Sequence, residues 1–218
     1  MIGAVVALVL VVLGVVADRA VAAVAERTIT TRIEQSVTGA SSVTTSIAGM
    51  PVLTQVARGS LDHVTVTVTD LATGTGPAIA SAVVELYDVS TSAPRTAQRV
   101  EATAEITTAE LQKALGDSWT ISPDGDAFAV RWTGGLELAA RIVPAVRDGK
   151  LALDLQSVTI LGVSVDGSLV PAAVKDRVAE VASSVGDLPF GLVPSTVAVT
   201  PNGVRLAATG TDVDLEKA

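Results

Sequence analysis

The sequence predicts an α+β fold: an antiparallel β body with helices segregated from the strands. Three observations carry that expectation. Val alternates with Thr or His from Leu61 to Asp70, the period-2 pattern of a half-buried strand. Asp124-Gly125, Gly134-Gly135 and Asp148-Gly149 are hairpin-type turns that cut the middle of the chain into a meander. Helical patterns stand before, between and after the runs of strands, without the strict alternation of a parallel α/β chain.

The chain opens on an uncharged apolar run from Ile2 to Ala17. As a helix it would span about 24 Å at about 1.5 Å per residue. That is short of the roughly 20 residues asked of a membrane span and suits the core of a signal peptide. Ala20-Val21-Ala22 supplies small residues for a signal peptidase, yet no Lys or Arg precedes Arg19. Residues 1–22 are therefore expected to form a signal peptide or N-terminal membrane anchor, and 23–218 a single domain outside the cytoplasm. Asp18 to Val37 reads as a helix N-capped by Asp18, with Ala22, Ala25, Ile29 and Ile33 on one face.

Strands follow at Leu61–Asp70, Ala82–Tyr87 and Val100–Ile106, with Asp88–Arg99 as a polar loop. Thr107-Thr108-Ala109-Glu110 has the form of a capping box and opens a short helix that Gly116 ends. The meander is expected to use Trp119–Ser122, Ala127–Thr133, Leu136–Val143 and Lys150–Ile160. A further strand within Gly162–Val170 precedes Pro171 at a helix start and an amphipathic helix over Ala172–Ser184. Ser195–Thr200 and Val204–Gly210 form a last hairpin about Pro201-Asn202-Gly203.

Composition narrows the function. Hydrophobic residues are 49% of the chain but aromatics only 2%, so the core must be aliphatic and base-stacking platforms are disfavoured. A net charge of −8 with no basic cluster argues against nucleic acid and against broad attraction to anionic headgroups. The absence of cysteine removes disulfides, thiol catalysis and Cys-based metal sites. His63 is the one histidine. A relay through Ser60 and Asp62 is formally open, but on a strand those two share a face and His63 points to the other. Asp124/Asp126 and Asp212/Asp214 are weak carboxylate pairs that read as turn and solvated strand. No catalytic constellation, metal site or cofactor site is expected. What remains is aliphatic area, which can close on itself as a core or leave a groove for acyl chains.

Two segments choose between these. Gly49-Met50-Pro51-Val52-Leu53-Thr54, with Gly59 beyond it, is one. Leu188-Pro189-Phe190-Gly191-Leu192 through Val197-Ala198-Val199 to Gly203-Val204 is the other. With the N-terminal run, they resemble the LmeA-like phospholipid-binding family of actinobacterial cell envelopes. The resemblance implies a long helix packed in a strongly curved antiparallel sheet, as in tubular lipid-binding domains. It also implies binding of phosphatidylinositol-type lipids in support of envelope glycolipid maintenance, without catalysis. Met50 and Val52 stand where the family pattern has aromatics.

On that reading the candidate groove residues are Met50, Pro51, Leu53, Val64, Val66, Val68, Phe128 and Trp132, with Arg58 as a headgroup contact. The expected partners are acyl chains of phospholipid or glycolipid and, through the N-terminal segment, the plasma membrane. The alternative is an envelope scaffold protein with a filled core and no lipid pocket. A hydrolase using His63 ranks last.

Overall fold

The computed structural model describes residues 2–36, 39–72, 77–132, 138–160, 162–166 and 188–216. Three α-helices are present among them, α1 (Ile2–Ser36), α2 (Val52–Arg58) and α3 (Thr108–Leu115), with a short 3-10 turn at Pro189–Gly191. Six strands form one antiparallel sheet, in the order β1 (Ser42–Ala48), β2 (Ser60–Leu71), β3 (Ile79–Ser90), β4 (Thr96–Thr107), β11 (Gly203–Asp214) and β10 (Val193–Thr200). A second sheet runs in chain order through β5 (Trp119–Asp124), β6 (Ala127–Trp132), β7 (Leu138–Arg147), β8 (Lys150–Ile160) and β9 (Val163–Asp166). β10 lies against β7 and β8, which joins the two sheets. The fold is α+β and mostly antiparallel sheet.

The main core lies on one face of the six-stranded sheet. β1 and β2 pair so that Val43, Thr45 and Ile47 stand opposite Val68, Val66 and Val64. All six are buried, and Ala22, Ala25 and Ile29 of α1 pack into the same cluster. The alternation of Val with Thr in β2 therefore divides inside from outside, as its period requires.

Several expectations need correction. Asp18 does not cap its own helix: α1 is already helical upstream, from Ile2. β1 and α2 carry no strong pattern in the sequence. Asp88–Arg99 is mostly strand, because polar residues at the ends of β3 and β4 continue to pair with β2 and β11. Neighbouring strands outweigh the low β-propensity of those residues. The turns at Asp124-Gly125 and Asp148-Gly149 form as expected. At the capping box the Thr107 hydroxyl accepts from the Glu110 amide, but the Glu110 carboxylate accepts from the Ala78 amide rather than closing the box. Gly134-Gly135 and the Ala172–Ser184 helix lie outside the described residues.

A row of irregular positions crosses the sheet near one end. The ladders pass over Asp62, Asp88, Gln98 and Asp212, which stand side by side on β2, β3, β4 and β11. Asp88 and Asp212 are left-handed there, at φ 52° and 51°. The inward parity changes across this row. On one side Val64, Leu86, Val100 and Ala208 are buried; on the other, Leu61, Ala97 and Val213. On β3 and β11 the left-handed Asp88 and Asp212 bring the next apolar side chains, Val89 and Val213, inward where a regular strand would turn them out. Asp tolerates this backbone better than branched residues do. Asp88→Val is expected to cost about 1–2 kcal/mol for that reason. Asp88→Gly is expected to stay within about 0.5 kcal/mol of the parent, since glycine adopts the conformation freely but adds chain entropy. Urea unfolding of the two variants checks the order.

Candidate functional site

The aliphatic face does not stop where α1 ends its cover. Following the register from β2, the inward row Val68–Ala82–Ala104–Leu206–Val197 crosses β3, β4, β11 and β10. The next row is Val66–Val84–Ala102–Ala208. The β2 residues are buried, whereas Ala82, Val84, Ala102, Ala104 and Leu206 are only half-buried. The sequence places them inward by simple alternation, as in Glu101-Ala102-Thr103-Ala104-Glu105. Alanine at these positions keeps side chains short, and these five residues offer a ligand only apolar surface. Such a surface suits an acyl chain.

Three contacts fix α1 at the border of this face. The Asp18 carboxylate, itself buried, accepts from the Leu53 amide at 2.7 Å and so satisfies a free N–H of the first turn of α2. The Glu26 carboxylate accepts from the Ile47 amide at 2.9 Å. The Thr30 and Thr45 hydroxyls meet at 2.9 Å. Between α1 and β1 lies a cleft of about 440 Å³ lined by Glu26, Arg27, Thr30, Thr31 and Thr45 among others. Ala23 and Val43 line it as well, so its walls are mixed where those of the aliphatic face are apolar.

At the end of the sheet, α2 closes the core. Val52 and Gln55 are its buried residues. The Gln55 amide donates to the Ala48 carbonyl at 3.2 Å, and its oxygen accepts from the Asp62 amide at 2.9 Å. One side chain thus ties the end of β1 to the start of β2.

The residues singled out from the sequence fall in three places. Val64, Val66 and Val68 stand together on the inward face, under α1. Met50, Pro51 and Leu53 lie on the outside of α2 and its approach, exposed, and Arg58 is exposed in an ion pair with Asp62 at 2.8 Å. Phe128 and Trp132 belong to the second sheet, where Phe128 is buried and Trp132 sits beside Trp119 at 6.3 Å between ring centres. The structure does not bring these groups into one site. Ala82, Val84, Ala102, Ala104 and Leu206 were the inward residues not singled out.

His63 has other partners than Ser60 or Asp62. Its ring stacks on Tyr87 at 4.6 Å with an interplanar angle of 2°, and Arg99 covers the same tyrosine at 4.0 Å. Glu85 is 3.8 Å from the imidazole. Desolvation at the sheet surface, then the Glu85 and Glu101 carboxylates, raise the Tyr87 phenol above its ordinary range. These residues form a ladder across β2, β3 and β4 on the outer face. Among the described residues no group of His, Asp or Glu could hold a metal ion.

No curated protein and no solved structure matches the chain. The model of one family, described as LmeA-like phospholipid-binding, matches residues 16–209, from the middle of α1 to near the end of β11. By that match, which covers most of its length, the chain belongs to the LmeA-like phospholipid-binding family.

Proposed function

We propose that the protein binds phospholipid without catalysis, holding an acyl chain on the half-buried aliphatic face that continues from β2 across β3, β4 and β11. The observation that carries this reading is the inward row of small apolar residues on β3, β4 and β11, joined to membership of a phospholipid-binding family. Burial of about eight methylenes, at about 0.8 kcal/mol each, would contribute about 6 kcal/mol before any headgroup contact. The finer picture is a long helix cradled by a curved sheet, with phosphatidylinositol-type lipid as ligand and a supporting role in envelope glycolipid maintenance.

The protein acts outside the cytoplasm with its N-terminal segment retained. Asp18 and Ala22 support retention. Cleavage after Ala22 would remove a core residue and the buried acceptor of the Leu53 amide, at a cost of about 1–3 kcal/mol for the unsatisfied amide alone.

Lipid extraction and mass spectrometry of the purified full chain test the binding. Phospholipid is expected at near-stoichiometric amounts, and Ala82→Trp with Ala104→Trp is expected to reduce it about tenfold by filling the row, at unchanged circular dichroism. A chain that carries no lipid and takes none from phosphatidylinositol-containing vesicles would refute the reading and favour a scaffold with a filled core.

A further inference from the structure

Exposed large apolar side chains are gathered at one end of the six-stranded sheet. Among the described residues eleven such side chains are exposed, and seven of them lie at the end where β1, β3 and β11 finish and β2, β4 and β10 begin. α1 contributes Val15 and Val16, one turn or less from Asp18. Met50, Leu53 and Val56 come from α2 and its approach, with Met50 65% exposed. Phe190 and Val193 complete the group on the far side of the sheet. Leu192, between them, packs into the core and approaches Gly210, which the register aligns with Val100 and Leu86. At about 4.8 Å per strand, the two sides of this end stand about 24 Å apart.

We propose that this end of the sheet is a membrane-docking tip, whose occupant is the surface of a phospholipid bilayer. Three features select a bilayer over a folded partner. First, α1 leaves the body here. The Asp18–Leu53 contact fixes the helix against α2, and the Ile47 and Thr45 contacts show that it runs from this end along β1. The turn of α1 before Asp18, with Val15 and Val16 exposed, therefore stands at the tip, and the sequence upstream of Asp18 is the uncharged run Ile2–Ala17. Second, the tip is built from Met, Leu, Val and Phe side chains. These need no fixed partner geometry and suit insertion at the headgroup–acyl boundary. Third, Arg19 is exposed at the junction of the run and the body, where a cation meets phosphate. The net charge of −8 supplies no long-range attraction, so docking depends on apolar insertion next to the tether.

This inference rests on the reading of Ile2–Ala17 as a retained anchor, and the experiment separates the two. The chain has no cysteine, so single cysteines can be introduced cleanly. Met50→Cys, Leu53→Cys and Phe190→Cys, with Thr120→Cys on exposed β5 as control, are labelled with an environment-sensitive fluorophore. The full chain is then reconstituted into phosphatidylcholine/phosphatidylglycerol vesicles. The three tip labels are expected to shift to the blue, brighten several-fold and be quenched by spin-labelled acyl chains, while the label at 120 is unchanged. Vesicle-bound protein whose tip labels all stay water-like would overturn the docking tip and leave the anchor standing. A chain that does not stay with vesicles after carbonate extraction would overturn the anchor, and the tip with it. Phe190→Cys is the decisive position, because it lies across the sheet from α1 and cannot report the tether alone.

Discussion

Gly203→Ala is expected to lower the thermal midpoint by about 10 °C or more, the loss that about 3 kcal/mol or more produces in a chain of this size. Gly203 opens β11 after the Pro201-Asn202 turn, at φ 151°. A β-carbon there would stand 2.0 Å from the Ile106 carbonyl oxygen and within 3 Å of the Thr107 backbone. The obstacle is backbone of β4, so no rotamer change relieves it. The strands would have to separate at Gly203–Thr107, where their pairing begins and where the Thr108 amide donates to the Asn202 carbonyl at 2.8 Å. Gly116→Ala has open space around its β-carbon. Its cost is confined to backbone strain, at φ 81° and ψ 174° in a region almost reserved for glycine, and it is expected to lose about 1–3 kcal/mol. Differential scanning calorimetry of the pair separates a clash between strands from simple loss of glycine freedom.

Gln55→Leu is expected to cost about 2–4 kcal/mol although it keeps the volume of the side chain. Gln55 is 2% exposed and makes two hydrogen bonds to backbone, one as donor and one as acceptor. Leucine fills the space and leaves the Ala48 carbonyl and the Asp62 amide without these bonds. Gln55→Glu tests the direction of the bonds, since a carboxylate still accepts from Asp62 but meets the Ala48 carbonyl with a second acceptor. It is expected to be destabilised too, and more so above pH 6 than at pH 4, where a protonated carboxyl can donate. Equal loss for Gln55→Leu and a surface control such as Thr54→Val in denaturant titration would sink this account.

Much of the fold could be read in advance because alternation is a local signal. Leu61–Asp70 and Val100–Ile106 carry their inward and outward residues in the sequence itself, and the Asp-Gly turns mark the meander. β1 was not legible. Ser42–Ala48 is Ser/Thr-rich, and its inward Val43, Thr45 and Ile47 gain their meaning only from β2 beside them. α2 is seven residues long and follows Pro51, too short for helical periodicity to show. The role of Asp18 was hidden for another reason. A polar residue after an apolar run reads as a cap or boundary, whereas its actual partner lies 35 residues away. The candidate face was half legible. Its inward alanines follow from alternation, but their grouping into one row depends on the order β3–β4–β11, which brings together residues about a hundred positions apart.

Alternating Val/Thr strands are also the pattern from which intermolecular sheets grow, and a six-stranded sheet has two edges at which that growth can begin. Both edges are blunted. At β1 the Ile47 amide points away from β2 and is already taken by the Glu26 carboxylate. At β10, Pro194 lacks an amide, and the register slips between Pro194 and Thr196. Glu26 thus acts as a stopper as well as a fastener: it fills the place at which the next copy of a strand would dock.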